Sequence, residues 1–378
     1  MPENMPLEGT DLLDRAVVWL DQVLPQGWTV ERSKTSFSGA AGTEPRRLDT
    51  AIDLAASNGT RTTLAVEAKR TFTPRDAEQL LRGLASQLRT LAHGVAILVV
   101  AAWLSPRTQE LLAEQDVNYL DLTGNALVRL ENPAVYIRSQ GATRNPEPQP
   151  RGRARVRGPK AARVVRLLVD VRPPYGVREI AMASGVALSY TSRLLDSLDR
   201  EALVDRSLRG QVEAVDVAGL LRRWAESYDV FKANNATTFV APNGVASALQ
   251  RLAQNSTLGR VAITGSFAAT RLAPVAAPAL LVAYCDDVSS VATSLDLLPA
   301  DEGANVALLR PYDSFIWDRT VRADPLEYVA PSQTVVDCLT GTGRMPSEGE
   351  ALLEWMLEDE SRWRLDSLRD LDTSPSAA

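Results

Sequence analysis

RGRARVRGPKAARVVRLLVDVRPPYGVREIAMASGVALSYTSRLLDSLDREALVDRSLRG, residues 151–210, opens on arginine and proline and then turns into short apolar repeats. Ala161, Val164, Val165, Leu167 and Leu168 recur at helical spacing. So do Val177, Ile180 and Ala181, and then Leu188, Leu194, Leu195 and Leu198. The spacing predicts three short helices. Ser184-Gly185-Val186, between the second and third, puts a glycine where the chain must reverse within a few residues. Downstream, ALVDRSLRGQVEAVDV predicts strand, turn at Arg209-Gly210, and strand.

Three helices with a glycine corner and a closing hairpin make a winged helix-turn-helix, and the charge agrees with that reading. Residues 151–209 hold 13 Arg/Lys against 6 Asp/Glu, a local +7 in a chain of net −6, so the remainder carries −13. A basic segment in an acidic protein is the footprint of phosphate binding. In a winged helix the third helix enters the major groove, which brings Ser189, Tyr190, Thr191 and Arg193 to bases or phosphates. Arg151, Arg153, Arg155, Arg157 and Lys160 follow the backbone from the linker, and Arg209 does so from the wing. Double-stranded DNA is the expected partner.

Composition bounds the rest. The chain has 378 residues, 45% hydrophobic and 23% charged, enough for two or three domains with ample core. The longest apolar run, VAILVVAAWL at 95–104, is too short to span a membrane and suits a buried strand. MPENMPLEGTDLL lacks the basic start and apolar core of a signal peptide, and Cys285 and Cys338 sit apart in apolar patterns. A cytoplasmic protein without a disulfide framework is expected. His93-Gly94 reads as a helix end, and two distant cysteines make no zinc site by themselves. The fold class expected is α/β multidomain: an α/β domain over 1–145, a basic Pro/Arg linker over 146–159, the winged helix over 160–218, a C-terminal α/β domain over 219–371 and a disordered tail over 372–378.

Along the first domain, TDLLDRAVVWLDQVL (10–24) predicts a helix with Thr10 as its cap, and WTVERS a strand. RLDTAIDLAAS and RTTLAVEAKR flank Asn58-Gly59, a strong hairpin signal. PRDAEQLLRGLASQLRTLAH then predicts a helix, followed by the buried strand, another helix and short strands. This order predicts a mixed sheet between helices. Asp53 and Glu67 lie 14 positions apart on the two hairpin strands, and Lys69 shares a face with Glu67. Two adjacent carboxylates hold Mg²⁺ through oxygen, and a lysine beside them can orient water and stabilise phosphoryl charge. The constellation resembles the PD-(D/E)XK nuclease superfamily over about residues 10–140. The resemblance implies a restriction-endonuclease-like fold, with Asp53 and Glu67 as metal ligands, Lys69 as third catalytic residue and Gln87 as auxiliary glutamine. Ile52 stands where the family carries proline. Asp121-Leu122-Thr123-Gly124-Asn125 reads as a hairpin turn.

In the last domain, RVAIT followed by Gly265-Ser266 and a helix, with Asp286-Asp287 at the next strand end, resembles a nucleotidyltransferase core. Those enzymes need two acids spaced by one residue; adjacent acids point to opposite sides of a strand, so a degenerate, non-catalytic copy is expected. The winged helix followed by this domain, with VAPSQTVVDCLTGTGRMPSEGEALLEWM near its end, resembles the abortive-infection antitoxin family of type IV toxin–antitoxin systems over about residues 155–360. Three readings follow. The first is a DNA-binding transcriptional regulator, linked to phage defence or toxin–antitoxin control, whose flanking domains form a homodimer or sense an effector. The second is a Mg²⁺-dependent endonuclease targeted by the winged helix, and the third an antitoxin that binds a toxin protein.

Overall fold

The computed structural model describes residues 9–33, 37–38, 47–48, 50–87, 95–143, 145–146, 156–207, 209–255, 258–323 and 325–371. His93-Gly94, most of the expected linker and the tail over 372–378 lie outside them. The chain is mixed α/β and divides into two compact units, Met1–Gly152 with Arg200–Ala202, and Arg153–Asp199 with Leu203–Ala378. Among the described residues no helix is long and apolar enough to cross a membrane.

The first unit runs α1 (Gly9–Val23), β1 (Thr29–Arg32), β2 (Phe37–Ser38), β3 (Arg47–Leu48), β4 (Thr50–Ala55), β5 (Arg61–Thr71), α2 (Pro74–Gln87), β6 (Val95–Trp103), α3 (Pro106–Glu114), β7 (Asn118–Asp121), β8 (Ala126–Leu130) and β9 (Val135–Ser139). α1 spans Gly9–Val23, so Thr10 falls within the helix, and its side chain lies outside the described residues. A seven-stranded sheet has the order β1-β4-β5-β6-β7-β8-β9, with β6 parallel to both its neighbours. Strand alternation explains the layers. Ile52, Leu54, Leu64, Val66, Leu98 and Val100 face α1, whereas Ile97, Val99 and Ala101 face α2 and α3. β6 is therefore apolar on both sides, as a central parallel strand covered by helices must be. Gly59, at φ 85°, occupies the left-handed turn that the Asn-Gly pair predicts.

The second unit runs α4 (Pro159–Asp170), α5 (Val177–Ser184), α6 (Leu188–Arg200), β10 (Val204–Arg206), β11 (Val212–Val215), α7 (Val217–Ala225), α8 (Val230–Ala233), β12 (Thr237–Val240), α9 (Gly244–Gln254), β13 (Val261–Thr264), α10 (Gly265–Leu272), β14 (Leu281–Cys285), α11 (Val288–Ser294), β15 (Leu298–Pro299), β16 (Val306–Leu309), β17 (Val321–Ala323), β18 (Leu326–Tyr328), α12 (Pro331–Leu339) and α13 (Met345–Glu358). β12–β18 form a mixed sheet of order β15-β12-β16-β14-β13-β18-β17. One face, through Ala262, Val282, Tyr284, Ala307 and Leu309, shares a continuous core with Val164, Leu168, Leu194, Leu198, Leu220 and Trp224. The other face, through Ile263, Leu281, Ala283, Cys285 and Leu308, packs with Ala248 and Val291. The elements on either side of residue 218 thus belong to one compact unit and share this core. α4 is apolar around more of its circumference than a free-standing three-helix domain requires, and it spends that surface on α7 and α12.

Asp286 and Asp287 follow the end of β14 and are not borne on the strand. Asp287 caps α11, accepting from the Ser289 and Ser290 amides at 3.0 and 3.1 Å and from the Ser290 hydroxyl at 2.7 Å. Asp121 is similarly occupied: it accepts from the amides of Leu104, Thr123 and Asn125 and from the Thr123 hydroxyl and Asn125 amide side chains. Both are turn and cap chemistry.

Candidate nucleic-acid interface

α4, α5, α6 and the β10–β11 hairpin take the order that the sequence predicts. Gly185, at φ 65°, ends α5 in the left-handed conformation, and Val186 and Ala187 lead into α6. Tyr175 forms a bridge with Val212, so the segment between α4 and α5 pairs with the hairpin and holds it against the helices. The hairpin is tied a second time: Asp196 on α6 accepts from Arg206 Nη1 at 2.6 Å, and Arg206 Nε donates to the Gly210 carbonyl.

The predicted contact residues separate by face. Ser189 and Arg193 are exposed on α6, and Arg193 Nε donates to the Ser189 carbonyl at 3.2 Å. Tyr190 is half-buried against the core, and burial pushes its phenol up from the ordinary range. Thr191 is corrected: it is fully buried and its hydroxyl donates to the Ala187 carbonyl, so it faces inward with Leu194, Leu195 and Leu198. One turn of helix separates the inward from the outward residue types, and 191, 194, 195 and 198 share the inward stripe.

The positive charge separates as well. Arg163 pairs with Asp313 at 2.7 Å, Arg166 with Asp170 at 3.1 Å, Arg172 with Asp366 at 2.6 Å and Arg206 with Asp196. These arginines hold the second unit together. Arg157, Lys160, Arg178, Arg193 and Arg209 are exposed and have no acidic partner among the described residues. Arg151, Arg153 and Arg155 lie outside the described residues.

Behind α4 lies a buried polar network that the sequence reading missed. Asp337 of α12, fully buried, accepts from Thr264 Oγ1 at 2.6 Å, Gln333 Nε2 at 2.8 Å, Tyr228 OH at 2.9 Å and Tyr284 OH at 3.0 Å. Gln333 Oε1 in turn accepts from Arg166 Nη1 at 3.2 Å. Burial raises the Asp337 carboxyl to about 6, and the hydrogen bonds from Thr264, Gln333, Tyr228 and Tyr284 limit the rise. The sequence signal was a lone acid in the apolar helix PSQTVVDCLT, where an acid must be paired or hydrogen-bonded to remain.

On the first unit, Asp53 and Glu67 are corrected. They share a sheet face, but Asp53 stands opposite Thr63, whose hydroxyl donates to it at 2.7 Å. Glu67 is four residues further along β5, about 13 Å away at strand rise. The hairpin brings the strands together in a register that separates these two carboxylates. What stands beside Glu67 is Lys69, at 3.3 Å, and Lys69 reaches Asp76 at 3.2 Å. Asp76 and Thr73 form a reciprocal cap on α2, Thr73 N donating to Asp76 Oδ2 at 2.9 Å and Asp76 N to Thr73 Oγ1 at 3.2 Å. Partial burial opposes the ionisation of Asp76, but the Thr73 hydroxyl and amide and Lys69 outweigh it and hold the carboxyl below its ordinary range. Thr-Pro-Arg-Asp was the legible signal for that cap. Gln87 ends α2, and its side chain lies outside the described residues. Among the described residues no cluster of three acidic, histidine or cysteine side chains could hold a metal ion. No protein-family model, curated protein or solved structure matches this chain.

Proposed function

We propose that the chain is a sequence-specific duplex-DNA-binding regulator whose α4–α6 and β10–β11 act as a winged helix-turn-helix. The observation that carries this is the sorting of side chains on α6: Leu194, Leu195, Leu198 and Thr191 inward, Leu188, Ser189 and Arg193 outward, with Asp196 of the same helix paired with Arg206 of the hairpin. Exposed Arg157, Lys160, Arg178, Arg193 and Arg209 supply phosphate contacts. The C-terminal sheet, with Gly265-Ser266 opening α10 after β13 and no acid pair on β14, fits a nucleotidyltransferase-like scaffold that has lost its chemistry. One shared core for both parts supports the likeness to antitoxin-type regulators, in which a toxin protein would be the partner. Selecting bound duplexes from a random pool tests the reading: enrichment of a consensus supports it, and a pool that stays random contradicts it.

A second reading, an endonuclease, rests on Glu67 and Lys69 sharing one sheet face at the end of β5 beside α2. The order helix, strands, helix, strand fits a restriction-endonuclease-like core. Mg²⁺ would bind at Glu67, and Asp53 is too far along β4 to join it. Cleavage of duplex DNA with and without Mg²⁺, in intact protein and in Lys69→Ala, separates this reading from the first.

A further inference from the structure

The corner between α5 and α6 carries an exposed surface whose own side chains are apolar. Met182, Ala183, Gly185, Ala187 and Leu188 are all exposed, Met182 at 83% and Leu188 at 45%. Single exposed apolar side chains are ordinary. Here these outward positions hold no hydrogen-bonding side chain of their own; the one guanidinium against them, Arg163 beside Gly185, is held by Asp313, and Arg178 and Glu179 on α5 and Arg193 on α6 stand further out. The buried positions of the same corner, Ile180, Ser184, Val186 and Thr191, are core. Packing within the chain therefore does not account for the outward set.

The proposed docking turns this corner toward base edges. In the major groove, guanine, adenine and cytosine are read by donors and acceptors, whereas the thymine 5-methyl is the feature an apolar side chain can contact. The first two turns of α6 offer few polar readers: Ser189, the half-buried Tyr190, and Arg193, whose Nε is already committed to the Ser189 carbonyl. The exposed cations around the corner complement flanking phosphates and leave its centre apolar.

We propose that Leu188, with Met182 and Ala187 beside it, determines specificity by contacting thymine 5-methyl groups. This rests on the duplex-DNA reading above. A site selected by the full-length protein is therefore rich in thymine under the corner.

The test replaces thymine by uracil in a selected duplex, one block of positions at a time. This removes methyl groups and leaves the hydrogen-bonding edges unchanged. Each contacted methyl should be worth about fourfold in affinity, the value of one buried methylene group. Leu188→Ser and Met182→Ser should bind thymine and uracil duplexes more nearly alike. Both side chains are exposed, so the variants should melt with the unaltered protein. Equal affinity of the unaltered protein for both duplexes, with sequence selectivity intact, overturns the proposal and leaves the DNA reading standing. Failure to enrich any duplex removes both. Self-association that Leu188→Ser abolishes, with no change in thymine preference, assigns the corner to a second copy of the chain and likewise overturns the proposal.

Discussion

Arg166 Nη1 on α4 lies 3.2 Å from Gln333 Oε1 on α12, and Gln333 passes the connection to Asp337. α4 is the first helix of the proposed DNA-binding segment, and its guanidinium is 4% exposed, also reaching Asp170 and the Asp318 carbonyl. Removing this buried cation leaves Asp170 with only the longer contact to Arg319, at 3.6 Å, and takes a donor from Gln333 and the Asp318 carbonyl. Arg166→Met should destabilise the second unit by about 3 kcal/mol or more, read as a fall in denaturant midpoint.

The shared core predicts cooperative unfolding. A fragment of residues 156–218 exposes the face of α4 that packs on α7 and α12, and it should be molten, whereas residues 156–371 should melt in one transition. Circular dichroism at several wavelengths checks both. A sharply melting 156–218 fragment contradicts the shared core.

Asp337 gives a pH signature. Its folded carboxyl is raised to about 6 from the ordinary 3.8. The folded state therefore holds the proton more tightly than the unfolded state, and between these values rising pH lowers stability. Asp337→Asn removes that dependence. The stability of the variant relative to the unaltered protein should improve as pH rises from about 4 to about 6, and a constant difference across the window contradicts the buried-acid assignment.

On the first unit, the register predicts which acid matters. Any rise in melting temperature caused by millimolar Mn²⁺ should be lost in Glu67→Gln and kept in Asp53→Asn, because Asp53 is paired with Thr63 four residues away. Loss of the shift in Asp53→Asn would contradict the register argument.

The hairpin and α6 form one electrostatic piece. Arg206→Ala removes the cation 2.6 Å from Asp196 on the side proposed to meet phosphate, and duplex affinity should fall about fivefold, the effect of about 1 kcal/mol. Arg206→Ala with Asp196→Asn should recover most of that loss in the same binding assay.

Much of this was legible where local chemistry decides. The helix periods of α4–α6, the left-handed Gly59 and Gly185, and the alternation of β5 and β6 follow from residue type and spacing. What escaped the sequence reading depends on register or on distant packing. A hairpin turn fixes which strands pair, and its length fixes which residues face each other. Two carboxylates on one face can therefore still be four residues apart. The third helix of a winged helix enters the groove, which predicts Thr191 as a reader, but helical rotation turns it to the core. Arg163, Arg166, Arg172 and Arg206 contribute to the local positive charge of the sequence, yet their partners Asp313, Asp170, Asp366 and Asp196 show them to be internal ties. Three of those partners come from outside the first turns of the same helix, and periodicity carries no information about them.

The most direct test is the salt dependence of duplex binding by the full-length protein. Binding should weaken linearly in log–log form, and alanine at Arg157, Lys160, Arg178, Arg193 or Arg209 should each reduce the slope by up to about 0.9, the value of one phosphate contact. Alanine at the internally paired Arg172 should leave the slope unchanged. No duplex binding at low salt, or a slope indifferent to all five exposed cations, would contradict the account.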